Sequence, residues 1–156
     1  MWYYNGLSLP DYIGKFQHLE YLELNCCPHL SQLYPLEHLP NLKYLELHTW
    51  PHLKELGIGN SGNARGFLML ERLVLRWLER LESIAEPSNN GVWNESVLPK
   101  LHTLTILDCG SLKRLPRGME KLSRLNTLIG EEYWWQRIEW EDDNMKCHLQ
   151  NLFRKR

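Results

Sequence analysis

Alanine and phenylalanine are nearly absent from this chain, which has two and three of them among its 156 residues. An excess of one charge is also lacking, because 18 Lys and Arg residues stand against 19 Asp and Glu. Balanced charge disfavours non-specific attraction to nucleic acid or anionic membranes. No apolar run approaches the ~20 residues of a membrane-spanning helix, and Asp11 and Lys15 interrupt any signal-peptide pattern. We therefore expect a cytoplasmic protein that binds neither nucleic acid nor membrane.

Cysteines are few and poorly placed for a disulfide framework. Cys26 and Cys27 are adjacent, whereas Cys109 and Cys147 are distant from them and from each other. Small secreted folds instead space their cysteines for several crosslinks. The sequence predicts four reduced thiols.

Leucine is what the chain has in abundance, at 31 of 156 residues. Four segments follow the template LxxLxLxxCxxLxxL and begin at Leu19, Leu42, Leu70 and Leu101. A fifth copy begins at Leu125, and a partial copy precedes the first. The unit starts lie 23 to 31 residues apart, close to the range of leucine-rich repeats.

The template predicts a short strand in each unit, because its central leucines alternate around one outward residue. An amphipathic helix also fits some of the spacing, but Pro28, Pro51 and Pro116 fall inside the pattern and disfavour it. We predict an α/β leucine-rich-repeat solenoid. It is curved, with a parallel sheet of about five short strands on the concave face and irregular or 3₁₀ returns opposite.

Two domains follow from this pattern. The repeats occupy residues 1–130, with surface insertions near 57–66 and 85–97, where Gly, Asn and Ser are frequent. An aromatic C-terminal cap occupies residues 131–156.

Outward strand positions predict a partner-binding surface on the concave face, since Tyr and Arg commonly anchor protein interfaces. The candidate residues are Tyr21, Glu23, Tyr44, Glu46, His48, Arg72, Arg76, Thr103 and Thr105. A simply solvated face is the alternative. On adjacent strands we expect Tyr21 beside Tyr44 and Glu23 beside Glu46.

Catalytic and metal sites are weakly indicated. Glu23 and Glu46 could form a carboxylate pair, but an open, solvated sheet with basic neighbours disfavours acid–base chemistry. His52 lies four residues after His48, a spacing known from zinc sites, yet His52 and His29 recur simply because the unit recurs. We expect no enzyme activity, no metal and no cofactor.

One position just after each strand predicts a structural turn, where the side chain satisfies backbone groups at the strand exit. It is occupied by Cys27, Trp50, Leu78 and Cys109.

The tail differs from the repeats in its aromatic content. Its candidate cap residues are Trp134, Trp135, Ile138 and Trp140. The end of a solenoid exposes a leucine core that must be covered, which favours a cap. A partner-docking aromatic patch and a nuclear-import signal in the last three residues are the alternatives.

We predict a short helix directly after this aromatic cluster. Asp142 or Asp143 is the expected N-cap, and the apolar stripe is formed by Met145, Leu149 and Leu152. The basic residues 154–156 suit the negative end of the helix dipole.

Several segments resemble the C-terminal leucine-rich-repeat region of plant nucleotide-binding leucine-rich-repeat disease-resistance proteins of the coiled-coil type. The most specific segments are LEYLELNCCPHLSQL, HLPNLKYLEL, LHTLTILDCGSLKRLPRGMEKLSRL and YWWQRIEWEDDNMKCHLQNLF. The resemblance implies a role in autoinhibition and pathogen recognition. The implied partners are the receptor's own nucleotide-binding switch domain and a pathogen effector or guarded host protein.

The chain departs from whole receptors because no G-x-x-x-x-G-K-[ST] phosphate loop occurs in it. Its start inside a repeat leads us to expect a fragment. A free-standing leucine-rich-repeat adaptor and the substrate-selecting arm of a ubiquitin ligase remain the alternative functions.

Overall fold

The computed structural model describes residues 6–30, 33, 36–58, 67–85, 93 and 95–156. Its strands are β1 (Tyr21–Asn25), β2 (Tyr44–His48), β3 (Glu55–Gly57), β4 (Arg72–Arg76), β5 (Ser83–Ala85), β6 (Thr103–Leu107), β7 (Thr127–Gly130) and β8 (Phe153–Lys155). Six of these form one parallel sheet in the order β1-β2-β4-β6-β7-β8. This confirms the predicted leucine-rich-repeat solenoid and adds one strand, β8, to the expected five.

Leucine alternation positions the four long strands. Leu45 pairs in register with Leu22 on one side and with Leu73 on the other, so equivalent leucines stack from unit to unit. Leu45 and Leu73 are fully buried. Each unit therefore buries its apolar face only against its neighbours, as expected for a solenoid.

The returning arms contain 3₁₀ turns at Asp11–Lys15, Leu36–His38 and Met119–Lys121, in agreement with the prediction. A second, two-stranded sheet pairs β3 with β5 and was not predicted. Its central pair, Leu56 and Ile84, is buried. The arms are therefore tied together on this side of the solenoid as well.

The two predicted insertions lie mostly outside the described residues. At their edges the structure differs from the expectation of surface loops. Ile58 is buried, Ala85 belongs to β5, and Trp93 is completely buried. The Trp93 N–H also donates to the Arg117 carbonyl over 2.7 Å. Ile58 and Trp93 therefore belong to the hydrophobic core.

One residue directly after each long strand adopts a left-handed backbone, with φ between 51° and 56°: Cys26, Thr49, Trp77 and Asp108. The first three donate their N–H groups over 3.0 Å to the last carbonyl of the neighbouring strand. Asp108 donates instead to Glu131 Oε1 over 2.9 Å. A side-chain carboxylate thus replaces the backbone carbonyl where the series of long strands ends.

The tail contains two helices, α1 (Glu132–Trp135) and α2 (Asp143–Leu152). Asp142 Oδ1 accepts a hydrogen bond from the Met145 N–H over 2.7 Å, so Asp142 is the N-cap and not Asp143. None of the helices in the described ranges is long and apolar enough to cross a membrane.

The placement of residues 154–156 at the end of the helix is wrong. Helix α2 ends at Leu152, and Phe153 turns into an extended backbone that begins β8. Strand β8 pairs with β7, and the Arg156 N–H donates to the Gly130 carbonyl over 3.0 Å. Pairing the exposed edge of β7 satisfies backbone groups that a longer helix would leave open.

Candidate partner-binding face

All nine predicted binding residues lie on one face of the large sheet, opposite the leucine core, because strand side chains alternate between faces. We call this surface the open face. It comprises the outward side chains of β1, β2, β4 and β6, which are Tyr21, Glu23, Asn25, Tyr44, Glu46, His48, Arg72, Val74, Arg76, Thr103, Thr105 and Leu107.

An aromatic and cationic stack crosses the first three strands. The rings of Tyr21 and Tyr44 are stacked, with centroids 4.4 Å apart and planes 14° from parallel. On the next strand, Arg72 Cζ lies 6.0 Å from the centroid of the Tyr44 ring, within reach of a cation–π interaction. The expected proximity of Tyr21 and Tyr44 is confirmed.

Glu46 is the centre of a charged network. The expectation of a solvated carboxylate on an open sheet is therefore wrong for this residue. It is only 9% exposed. Its Oε2 accepts from the Tyr44 hydroxyl over 2.7 Å, and its Oε1 lies 3.5 Å from Arg76 Nε in an ion pair. Partial burial, together with this hydrogen bond, raises the pKa of Tyr44 and keeps its hydroxyl a donor.

The exit end of the face is formed around His48. Its Nδ1 lies 3.1 Å from Asn25 Oδ1 and 2.9 Å from Thr49 Oγ1. Its ring centroid is 4.6 Å from that of Trp77. These contacts fix the imidazole between two strands and against an aromatic ring.

Trp77 is a residue that the sequence prediction missed. It is 51% exposed and has φ 51°, which is unusual for a bulky side chain. It occupies the position just beyond β4, equivalent to that of Cys26 and Thr49. The sequence did contain a signal for this residue, because a tryptophan stands just after the strand at a position that the leucine template does not use.

The C-terminal part of the predicted surface is not accessible. Thr103 and Thr105 are 8% and 7% exposed, and Leu107 is buried. They lie on β6, which is flanked by β4 and β7. Short side chains in the interior of a sheet are covered by their neighbours, so the accessible part of the open face lies over β1, β2 and β4.

The structure gives no support for a metal site in the ranges it describes, where no cluster of three His, Cys, Asp or Glu residues could hold an ion. His29 and His52 are exposed, whereas Cys27 is buried.

The four predicted turn residues, Cys27, Trp50, Leu78 and Cys109, are all buried. Three of them donate to strand carbonyls, as in the 3.3 Å bonds from Trp50 Nε1 to the Leu24 carbonyl and from Cys109 Sγ to the Leu107 carbonyl. Leu78 carries no donor and only fills space. Burial raises the pKa of Cys109 to about 12, so this thiol stays protonated.

The candidate cap residues pack over the last unit. Trp134 and Ile138 are buried, and Trp134 Nε1 donates to the Leu112 carbonyl over 3.0 Å. Trp135 stacks on Phe153 at 4.2 Å and meets Trp140 edge-on at 4.7 Å.

Residues 1–50 match the family model of the R13L1/DRL21 leucine-rich repeats. Curated relatives include three proteins of Arabidopsis thaliana. A probable disease resistance protein is 29% identical over 90% of this chain and 18% of its own length. The probable disease resistance protein RF45 is 32% identical over 77% and 13%, and the disease resistance protein UNI is 28% identical over 90% and 16%.

The chain thus spans less than a fifth of the length of these relatives. No solved structure matches it significantly. The repeat register, the parallel sheet and these matches together identify the chain as a leucine-rich-repeat region of the plant disease-resistance type.

Proposed function

We propose that this chain is a protein-interaction module of a plant intracellular immune receptor, acting in the cytoplasm without catalysis. In this proposal the open face takes part in autoinhibition, through the receptor's own nucleotide-binding switch domain. It also takes part in recognition of a pathogen effector or a guarded host protein.

The observation that carries the proposal is an accessible aromatic and basic surface. Tyr21 on β1 is 53% exposed, and Trp77, just beyond β4, is 51% exposed. Arg72 on β4 is also exposed. Tyr, Trp and Arg are the residues that dominate binding energy at protein interfaces. Isolated exposed apolar residues are common, but here two aromatics border one charged network.

Existing contacts within the face also favour binding. The stacked rings of Tyr21 and Tyr44 and the packing of His48 on Trp77 restrict these side chains before a partner arrives. Side chains that are already ordered lose less entropy on association.

Chemistry at the face favours binding over catalysis. Glu46, its most buried carboxylate, is occupied by the Tyr44 hydroxyl and the Arg76 guanidinium. Both of its carboxylate oxygens therefore already have partners within the face, which favours a structural role over acid–base chemistry.

The test asks whether this chain binds the rest of a receptor when the two are produced as separate polypeptides. The UNI protein without its matching segment is co-expressed in leaves with this chain as a separate polypeptide, and co-precipitation is measured. We expect association, and a loss of recovered chain of about fivefold or more for Tyr21→Ala and Trp77→Ala, because each removes an interface anchor.

Tyr12→Ala is the matched control, because Tyr12 is 60% exposed but lies on a 3₁₀ turn away from the open face. Immunoblots confirm equal accumulation of all variants. Equal recovery of Tyr21→Ala, Trp77→Ala and the parent would contradict binding through the open face and its Trp77 edge. Failure of the parent to associate would contradict the autoinhibitory role.

A further inference from the structure

A surface depression of about 600 Å³ lies at the entry end of the strands, opposite the edge that carries Trp77. Its lining residues are Glu71, Lys100, His102, Ser123, Arg124 and Asn126. They come from three successive units of the large sheet. This depression is separate from the open face and plays no part in the function proposed above.

Two cationic side chains, Lys100 and Arg124, line this depression. Lys100 and Arg124 each precede their strand by three residues, and those strands pair with Thr103 opposite Thr127. Adjacent strands are ~4.8 Å apart, so the two side chains start from neighbouring positions. Within the described residues, neither side chain forms an ion pair with a carboxylate.

At the same end of the strands, another lysine does have a carboxylate partner. Lys43 Nζ lies 3.0 Å from Glu20 Oε1 between the first two strands. Within the part of the chain that the structure describes, Lys100 Nζ donates to the sulfur of Met69 over 3.0 Å, and a thioether is a weak acceptor that carries no charge.

One acidic residue, Glu71, also lines the depression and lies beside a histidine. Glu71 Oε2 lies 3.7 Å from His102 Nε2, and His102 Nδ1 is 2.9 Å from Thr103 Oγ1. The Ser123 hydroxyl and the Asn126 amide add neutral hydrogen-bond donors at the same depression. The site therefore combines the Lys100 and Arg124 cations with neutral donors on adjacent units, beside one carboxylate that contacts an imidazole.

We propose that this depression binds a phosphate group. Guanidinium and ammonium groups form strong charge-assisted hydrogen bonds with phosphate oxygens, and hydroxyl and amide donors complete such sites. The depression has room for a phosphate group that belongs to a larger molecule. A small phosphate ester and a phosphorylated side chain of a protein share this chemistry.

Titration calorimetry of the full chain with pyrophosphate, at constant ionic strength set by chloride, tests the site. We expect saturable binding that weakens at least fivefold in Lys100→Ala and in Arg124→Ala and disappears in the double variant. Lys113→Ala, which removes an exposed lysine outside the depression, is the matched control and should bind like the parent. Circular dichroism establishes that each variant is folded.

Two further probes distinguish the sources of the phosphate. A short neutral peptide carrying one phosphoserine that binds more tightly than pyrophosphate indicates a protein ligand. A tighter complex with glucose 6-phosphate indicates a small molecule. Equal binding by the folded double variant and the parent overturns the proposal, as does the absence of measurable heat with all three probes.

Discussion

The rings of Tyr21 and Tyr44 lie 4.4 Å apart although 23 residues separate them in the chain. They face each other because β1 and β2 pair in parallel with Tyr21 directly opposite Tyr44. A slip of one residue would turn one ring toward the leucine core. The contact between the two rings therefore depends on the repeat register.

Replacing a stacked leucine should weaken the whole array. Leu45→Ala is expected to lower the free energy of unfolding by about 2–5 kcal/mol, because Leu45 is fully buried between two neighbouring units. Urea unfolding measures the change. Leu68→Ala, at a position 40% exposed, should cost less than about 1 kcal/mol. Equal midpoints for Leu45→Ala and the parent would refute the register.

Gly130 allows the cap to approach the sheet. A Cβ at this position would lie 2.7 Å from the Trp134 ring and 3.3 Å from the Ile106 carbonyl oxygen. Gly130→Ala should therefore destabilise the fold by about 1–3 kcal/mol through overpacking. Gly110→Ala is the control, since open space surrounds that position. The thermal unfolding midpoints of both variants are compared with that of the parent. An unchanged midpoint for Gly130→Ala would mean that Trp134 does not pack against this position.

Glu131 completes the series of hydrogen bonds at the strand exits. Glu131→Ala removes the acceptor for the Asp108 N–H and is expected to cost about 1–2 kcal/mol. Glu131→Gln keeps an oxygen acceptor and should retain most of the stability. Urea midpoints for the pair separate the hydrogen bond from the charge. Equal losses in both variants would show that the carboxylate charge matters instead.

The four thiols should react with a thiol reagent in the order of their solvent accessibility. Cys147 is exposed and Cys26 is partly exposed, whereas Cys27 and Cys109 are buried. A thiol reagent at pH 8 should modify Cys147 first and leave Cys27 and Cys109 intact until urea unfolds the chain. Mass spectrometry of the labelled peptides gives the order. Rapid native labelling of Cys109 would contradict its position in the core.

Stability should also respond to alkaline pH through Cys109. Its pKa in the folded state is raised from 9.0 to about 12, because burial penalises the thiolate. The folded state thus holds this proton more tightly, so the contribution is complete below pH 9 and is lost as pH rises toward 12. Urea midpoints of the parent and Cys109→Ala, measured from pH 7 to pH 11, should converge with rising pH. A constant difference would exclude this linkage.

Much of the fold follows directly from the spacing of leucines. Strands β1, β2, β4 and β6 begin exactly two residues after the first leucine of their templates. The alternation of leucines inside each strand determines which side chains face the core. Because the units stack in register, the pairing of Tyr21 with Tyr44 was also predictable.

The accessibility of the candidate face was not predictable in the same way. Alternation places Thr103 and Thr105 on the outward side, yet both are buried by surrounding strands. Trp77 follows its strand and is exposed beside His48. Which outward residues reach solvent depends on the size of side chains on neighbouring units, which lie 23 to 31 residues away in sequence.

The sequence by itself determined the repeat, the positions of the four long strands and the sheet faces, because each depends on local spacing or on one neighbouring unit. Tertiary structure alone decided the path of the last residues. The charges of residues 154–156 suit a helix end, but the open edge of β7 offers backbone partners, and Phe153 stacks on Trp135. Backbone pairing and aromatic burial together outweigh an exposed helix-dipole interaction of about 0.3–1 kcal/mol.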